Sequence, residues 1–201
     1  MAANFAKQLV EEGRLRLGSA GFYHNIDNAP EGVADDAELC AIGVHIPIHL
    51  PAFEGVPFRI RLWEMGIIAD YGFQTELNLV GCKFISEHAP RYLMCLTTDP
   101  TPGLFGKEYD TVLRISDVYG FAAAIAKSDP KNIGRFSVGA VRYGAREYDI
   151  FGSEPLTPDP FAKKAEFAWQ KELRIVFEPS GKMQNFLSVE SSDVRNFVDY
   201  V

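Results

Sequence analysis

The apolar residues of this chain gather in short runs rich in β-branched and aromatic side chains, and regular helical patterns rarely separate one run from the next. Such runs read as strands at Leu15-Arg16-Leu17, Leu39 to Leu50, Phe58 to Trp63, Thr75 to Val80, Tyr92 to Leu96, Thr111 to Ile115, Arg135 to Val141, Leu173 to Phe177 and Phe186 to Val189. A doubly wound parallel sheet needs strands and helices in alternation, and that order is missing. The expected fold class is therefore α+β, a mixed and mainly antiparallel sheet with a few flanking helices. Pro47 marks Leu39 to Leu50 as an edge or bent strand. LRIVF (Leu173 to Phe177) is the strongest strand, and Phe186 to Val189 is its expected hairpin partner, with Gly181 in the turn. Helices are predicted from Ala3 to Glu12, stopped by Gly13, from Val118 to Lys127 with Asp117 as N-cap, and from Ser192 to Tyr200.

A length of 201 residues fits a single domain spanning 1–201. Its 47% hydrophobic and 12% aromatic content is enough for a proper core and speaks against disorder. Asp27 to Glu38 and Ser153 to Pro160 read as surface loops. The formal charge of -7 argues against a broad, non-specific grip on nucleic acid or anionic lipid. It leaves room for a local basic groove where Lys163, Lys164, Lys171 and Arg174 lie close in sequence, and a solvated strand edge is the other reading of that stretch. Cys40, Cys82 and Cys95 form no disulfide framework, which suits a reducing compartment, and each is expected to act as a small buried hydrophobe. The N-terminal stretch lacks a signal-peptide core, and no apolar run approaches the roughly 20 residues that span a bilayer. The expected setting is the cytoplasm, away from membranes.

No glycine-rich phosphate loop, G-x-S-x-G elbow or H-E-x-x-H helix occurs. His45 and His49 would share one face of an extended strand around Pro47, but no third ligand joins them in sequence, so no metal site is expected. Cys95 has no histidine at a recognisable spacing. What remains is Gln170-Lys171-Glu172, running into LRIVF. On an extended backbone Gln170 and Glu172 would face one cleft, with Phe167 and Trp169 in the same alternating phase. Together they would offer an aromatic platform with an amide and a carboxylate beside it. A fixed carboxylate suits cleavage of an N-glycosidic bond, where positive charge develops on a sugar ring. Buried, it would need a hydrogen-bonding or cationic partner. The bland reading is a same-face salt bridge between Glu172 and Arg174 on an amphipathic strand.

The Q-x-E pair on a strand after an aromatic loop resembles the catalytic turn of ADP-ribosyltransferases. That resemblance implies an ADP-ribosyltransferase-like fold and NAD as substrate. It implies Glu172 as the catalytic glutamate and Gln170 as the acceptor-orienting position. Arg16 in RLRLG, with Arg14 close behind, matches the early-strand arginine that meets a pyrophosphate, and Thr97-Thr98 stands where a Ser/Thr motif falls, although the motif's Ser-Thr-Ser triplet is absent. Lys163 is either a surface lysine or a phosphate contact. Tyr23 and His24 are either nicotinamide contacts or an aromatic cluster at the edge of the core.

In a narrower form, RLRLG followed by FYHNID, then YLMCLT, VRYG and FxKxxxFxxQxExRI, is similar to a bacterial domain family of uncharacterised function found near phage-defence genes. The implied function is a toxin or phage-defence effector that transfers ADP-ribose from NAD to a protein or nucleic-acid acceptor, with an antitoxin protein as a further partner. The alternative is a non-enzymatic domain of the same fold that binds a partner protein or nucleotide. A hydrolase that cleaves NAD without transfer is the third reading.

Overall fold

The computed structural model describes residues 1–19, 40–44, 48–52, 56–64, 76–79, 83–87, 91–101, 104–106, 109–144, 147–149 and 159–201. Its strands are β1 (Arg14–Ser19), β2 (Cys40–Val44), β3 (Ile48–Leu50), β4 (Leu77–Leu79), β5 (Lys83–Glu87), β6 (Tyr92–Thr97), β7 (Leu113–Ile115), β8 (Ile133–Ala140), β9 (Arg142–Gly144), β10 (Glu147–Asp149), β11 (Ala162–Lys164), β12 (Glu172–Pro179), β13 (Phe186–Glu190) and β14 (Val198–Tyr200). The α-helices among the described residues are α1 (Ala3–Lys7), α2 (Val56–Glu64) and α3 (Val118–Ser128). The chain is thus mixed α+β, with a mainly antiparallel main sheet and few helices. It divides into two compact units, one of residues 1–39, 88–145 and 159–201, the other of 40–87 and 146–158.

The main sheet belongs to the first unit and has the order β13-β1-β6-β12-β8, every neighbouring pair antiparallel. β12 holds the LRIVF run and lies between β6 and β8, the shielded position that a continuous apolar strand calls for. Alternation sends Leu15, Leu17, Tyr92, Ile175, Phe177, Leu187 and Val189 to one face, where Phe121, Ala122 and Ile125 of α3 cover them. The Asp117 side chain accepts from the Gly120 N–H and fixes the start of α3, as the sequence predicts; such caps contribute about 1 kcal/mol. The opposite face carries a smaller apolar patch of Leu93, Val176 and Phe161. Gly139 leaves room there: a Cβ on it would approach the Phe161 ring to 3.0 Å.

The expected N-terminal helix forms as α1, continues as a π-helical turn over Gln8–Glu12, and ends at Gly13 with φ 66°. Other expectations are corrected. β12 and β13 make no hairpin, because both edges of β12 are taken by β6 and β8, and β13 crosses to pair with β1. Phe58 to Trp63 is part of the helix α2. Phe58, Ile60 and Leu62 alternate as a strand would, but Pro57 in the first turn favours a helix start, and Arg59 and Leu62, three apart, are both buried. Leu39 to Leu50 contains two strands, and the first is central in the three-stranded sheet β10-β2-β5 of the second unit, not an edge. Only the first part of Ser192 to Tyr200 is helical, as a 3₁₀ turn over Ser192–Phe197, before β14 pairs with β7.

Asp27 to Glu38, Cys82, His45, Pro47 and residues 153–158 lie outside the described residues. So do Tyr23 and His24. Among the described residues no helix is long and apolar enough to cross a membrane.

Gly13 yields the first prediction. A Cβ there would collide with the Ser191 carbonyl, and its backbone is left-handed. Gly13→Ala should lower unfolding stability by about 2 kcal/mol or more in urea titrations, with the main-sheet spectrum kept.

Candidate functional site

The segment leading into β12 is not extended. After β11 the chain makes a 3₁₀ helix over Ala165–Gln170, Lys171 takes a left-handed conformation with φ 44°, and β12 begins at Glu172. The expected alternation of Phe167, Trp169, Gln170 and Glu172 is therefore replaced by helical geometry. Phe167 and Gln170, three apart, turn inward, while Trp169 stays partly exposed against Phe105, ring centroids 5.5 Å apart. The end of β6 holds this turn in place. The Thr97 hydroxyl donates to the Gln170 carbonyl at 2.8 Å, the Thr98 N–H donates to the Lys171 carbonyl at 3.0 Å, and the Lys171 ammonium meets Asp99 at 2.9 Å. Hydrogen bonds from Thr101, and then from Lys171, hold the Asp99 carboxyl well below the usual range.

Gln170 and Glu172 nevertheless converge, through Lys163. The Lys163 ammonium donates to Gln170 Oε1 at 2.7 Å and to Glu172 Oε2 at 3.3 Å, and it lies 4.9 Å from the centre of the Phe167 ring. From the other side, Arg174 donates from Nε to Glu172 Oε1 at 2.5 Å and from Nη2 to Oε2 at 3.3 Å, while its Nη1 reaches the Pro160 carbonyl at 2.7 Å. The side chains of Lys163, Glu172 and Arg174 are 5%, 5% and 0% exposed. The Glu172–Arg174 pair expected on one strand face does form, but in the interior, where breaking it costs far more than at a surface. Lys163 is not a surface lysine. Of the four cations of this stretch, Lys163 and Arg174 are buried against Glu172, and Lys171 is engaged with Asp99.

Burial by itself would push the Glu172 carboxyl up. The hydrogen bond and charge of Arg174, then the charge of Lys163 and a hydrogen bond from the Cys95 thiol, outweigh that and hold it below its ordinary value. Glu172 is thus an anion at neutral pH. Its backbone is held too: the N–H donates to the Tyr143 hydroxyl at 2.7 Å, and the carbonyl accepts from the Val141 N–H at 2.9 Å. Burial raises the Tyr143 phenol, and the nearby carboxylate adds to this, so it stays neutral.

The registers put further residues on the same sheet face as Glu172. Val176 pairs with Leu93 and Leu93 with Gly18, so alternation brings Arg14, Arg16, Cys95, Thr97, Glu172 and Arg174 to that face. Arg16 is exposed, its guanidinium 3.9 Å over the Phe186 ring, and Arg14 pairs with Glu12 and Glu190. The β1–β6 ladder is confined to Gly18↔Leu93 and Ser19↔Tyr92, so β1 and β6 do not pair with each other toward Arg16 and Thr97. Cys95 is exposed, contrary to the expectation of a buried hydrophobe.

Sequence reasoning missed Tyr143 and Cys95 as neighbours of Glu172. Cys95 was legible in part, two residues before Thr97 and hence on its face. Tyr143 was not, since its contact spans 29 positions. Among the described residues no group of three His, Cys, Asp or Glu side chains is placed to hold a metal ion. The chain matches no protein-family model, no curated protein and no solved structure.

Two predictions follow from the buried charges. Glu172→Gln should cost on the order of 3 kcal/mol in urea unfolding at pH 7, because Lys163 and Arg174 lose their counter-charge. The folded carboxyl titrates below the unfolded one, so its contribution is complete above the ordinary value of 4.5 and fades as pH falls through the folded value. The stability gap between wild type and Glu172→Gln should accordingly be constant from pH 6 to pH 7 by the same measurement, and narrow in acid.

Proposed function

We propose that this chain is an NAD-dependent ADP-ribosyltransferase of the toxin or phage-defence kind, modifying a protein or nucleic-acid acceptor. One observation carries the reading: an ionised carboxylate, held by Arg174, Lys163 and Cys95 at the start of β12, shares a sheet face with the exposed Arg16. NAD would extend along that face, its pyrophosphate toward Arg16, whose forked donors suit phosphate oxygens, and its nicotinamide ribose toward Glu172. The glycosidic bond breaks with its electron pair leaving on nicotinamide, and the positive charge left on the ribose is stabilised by Glu172. The acceptor nucleophile then bonds to the ribose carbon and releases its proton to solvent. Gln170, tethered to Lys163 beside Glu172, would orient the acceptor. Tyr23 remains the sequence candidate for the nicotinamide ring.

A specific observation favours a second reading, a non-enzymatic domain that binds a protein or nucleotide. Both oxygens of Glu172 are already taken by Arg174 and Lys163, and the side chain is 5% exposed. Catalysis requires that a ribose hydroxyl replace one of those donors.

Nicotinamide release and label transfer from NAD, measured with purified protein and bacterial extract, separate the two readings. Wild type should turn over. Arg16→Ala, a surface change, should fold normally and raise KM. Glu172→Gln, assayed at a temperature where circular dichroism shows it folded, should lose at least roughly a hundredfold in kcat, on the order of 3 kcal/mol. No NAD consumption by wild type, with a stable partner in pull-downs, would decide for the binding domain.

A further inference from the structure

β9 and β11 form a two-stranded parallel ribbon in which Tyr143 is the register partner of Lys163. In-register partners on parallel strands project to the same side. Here both reach the same residue at different atoms. Tyr143 Oη accepts the Glu172 N–H at 2.7 Å, and Lys163 Nζ donates to Glu172 Oε2 at 3.3 Å. The ribbon is itself joined to the main sheet at both margins. The Val141 N–H, just before β9, donates to the Glu172 carbonyl at 2.9 Å, and within the ribbon the Arg142 N–H donates to the Phe161 carbonyl at 2.7 Å. Phe161 in turn packs with Leu93 and Val176 on the sheet face that carries Glu172.

We infer that the β9–β11 ribbon is a two-point bracket for Glu172, in which Tyr143 positions its backbone and Lys163 its carboxylate. The catalytic consequence rests on the transferase reading; the bracket itself does not. Neither residue need touch the reacting atoms. A residue at the first position of a strand, next to a left-handed neighbour, has few ladder bonds of its own to set its direction. The phenol oxygen supplies what a further strand would supply elsewhere: an acceptor for the inward-facing N–H. With backbone and carboxylate fixed separately, a small error at either point would displace the charge from the ribose.

The test separates the two grips. Tyr143→Phe removes one oxygen and should speed hydrogen exchange at the Glu172 amide by about tenfold relative to the Ile175 amide, the size expected for one hydrogen bond. It should leave the Glu172 carboxyl titration in place, since Arg174, Lys163 and Cys95 still face it. Lys163→Met should do the reverse, raising the carboxyl titration midpoint in carbon-13 spectra with little change at the Glu172 amide. With an active wild type, Tyr143→Phe should lower kcat about tenfold at nearly unchanged KM. Equal movement of both observables in both variants would mean general loosening and overturn the bracket. So would unchanged amide exchange in Tyr143→Phe; faster exchange without any fall in kcat in an active enzyme would overturn the catalytic consequence. If wild type consumes no NAD while the two spectroscopic effects separate as expected, the transferase reading falls and the bracket stands.

Discussion

The Glu172 carboxylate, shared between Arg174 and Lys163, is the contact on which the layout of the larger unit's second sheet face depends. A charge in the interior is tolerated only when opposite charge and hydrogen bonds surround it. Meeting that demand draws in parts of the chain far apart in sequence: β11 through Lys163, the 3₁₀ turn through Gln170, and the segment before β11 through the Pro160 carbonyl on Arg174. Among the described residues the apolar patch here is three side chains, too few to order so many segments by burial alone. Polar contacts are directional, and here direction replaces area.

The two faces of the main sheet divide their roles accordingly. One is closed by α3 over an aliphatic and aromatic layer, the arrangement that stabilises the unit. The other gathers arginines, a thiol, a threonine and the buried carboxylate around an incompletely paired stretch between β1 and β6. Polar side chains concentrated on one face of a sheet reduce what packing can contribute there, and folds tolerate that where chemistry or binding uses the groups. The tension lies in Glu172 itself. The donors that keep it ionised also occupy its oxygens, so its readiness as a charge and its availability to a ligand pull in opposite directions.

How much was readable in advance depended on range. The capped helix after Asp117, the glycine stop at Gly13 and the strand at LRIVF are local patterns, and each appears where the sequence predicts it. The convergence of Gln170 with Glu172 was also foreseen, although by the wrong geometry: an extended backbone was expected where a 3₁₀ turn and a left-handed Lys171 do the work. The partner of β13 was not legible, because a tight turn suggests a hairpin and only the occupancy of both edges of β12 forbids it. Lys163 reads as a surface residue in any local view. Its burial follows from a carboxylate nine positions away and a phenylalanine ring four positions away. Alternation likewise misread α2, since Phe58, Ile60 and Leu62 suit a strand until Pro57 is weighed as a helix opener.

Lys171 has one more consequence. Among the described residues it alone, apart from glycines, has a positive φ, and it stands at the joint between the turn and β12. In a strand every side chain changes sides when the register slips by one. A one-residue slip here would drive Glu172 and Arg174 into the greasy layer beneath α3 and expel Ile175 and Phe177 from it. The lone left-handed lysine, clasped by Thr98 and Asp99, thus serves as a ratchet tooth. It counts the strand in from one end, and length changes between residues 165 and 171 would be among the least forgivable edits this chain could undergo.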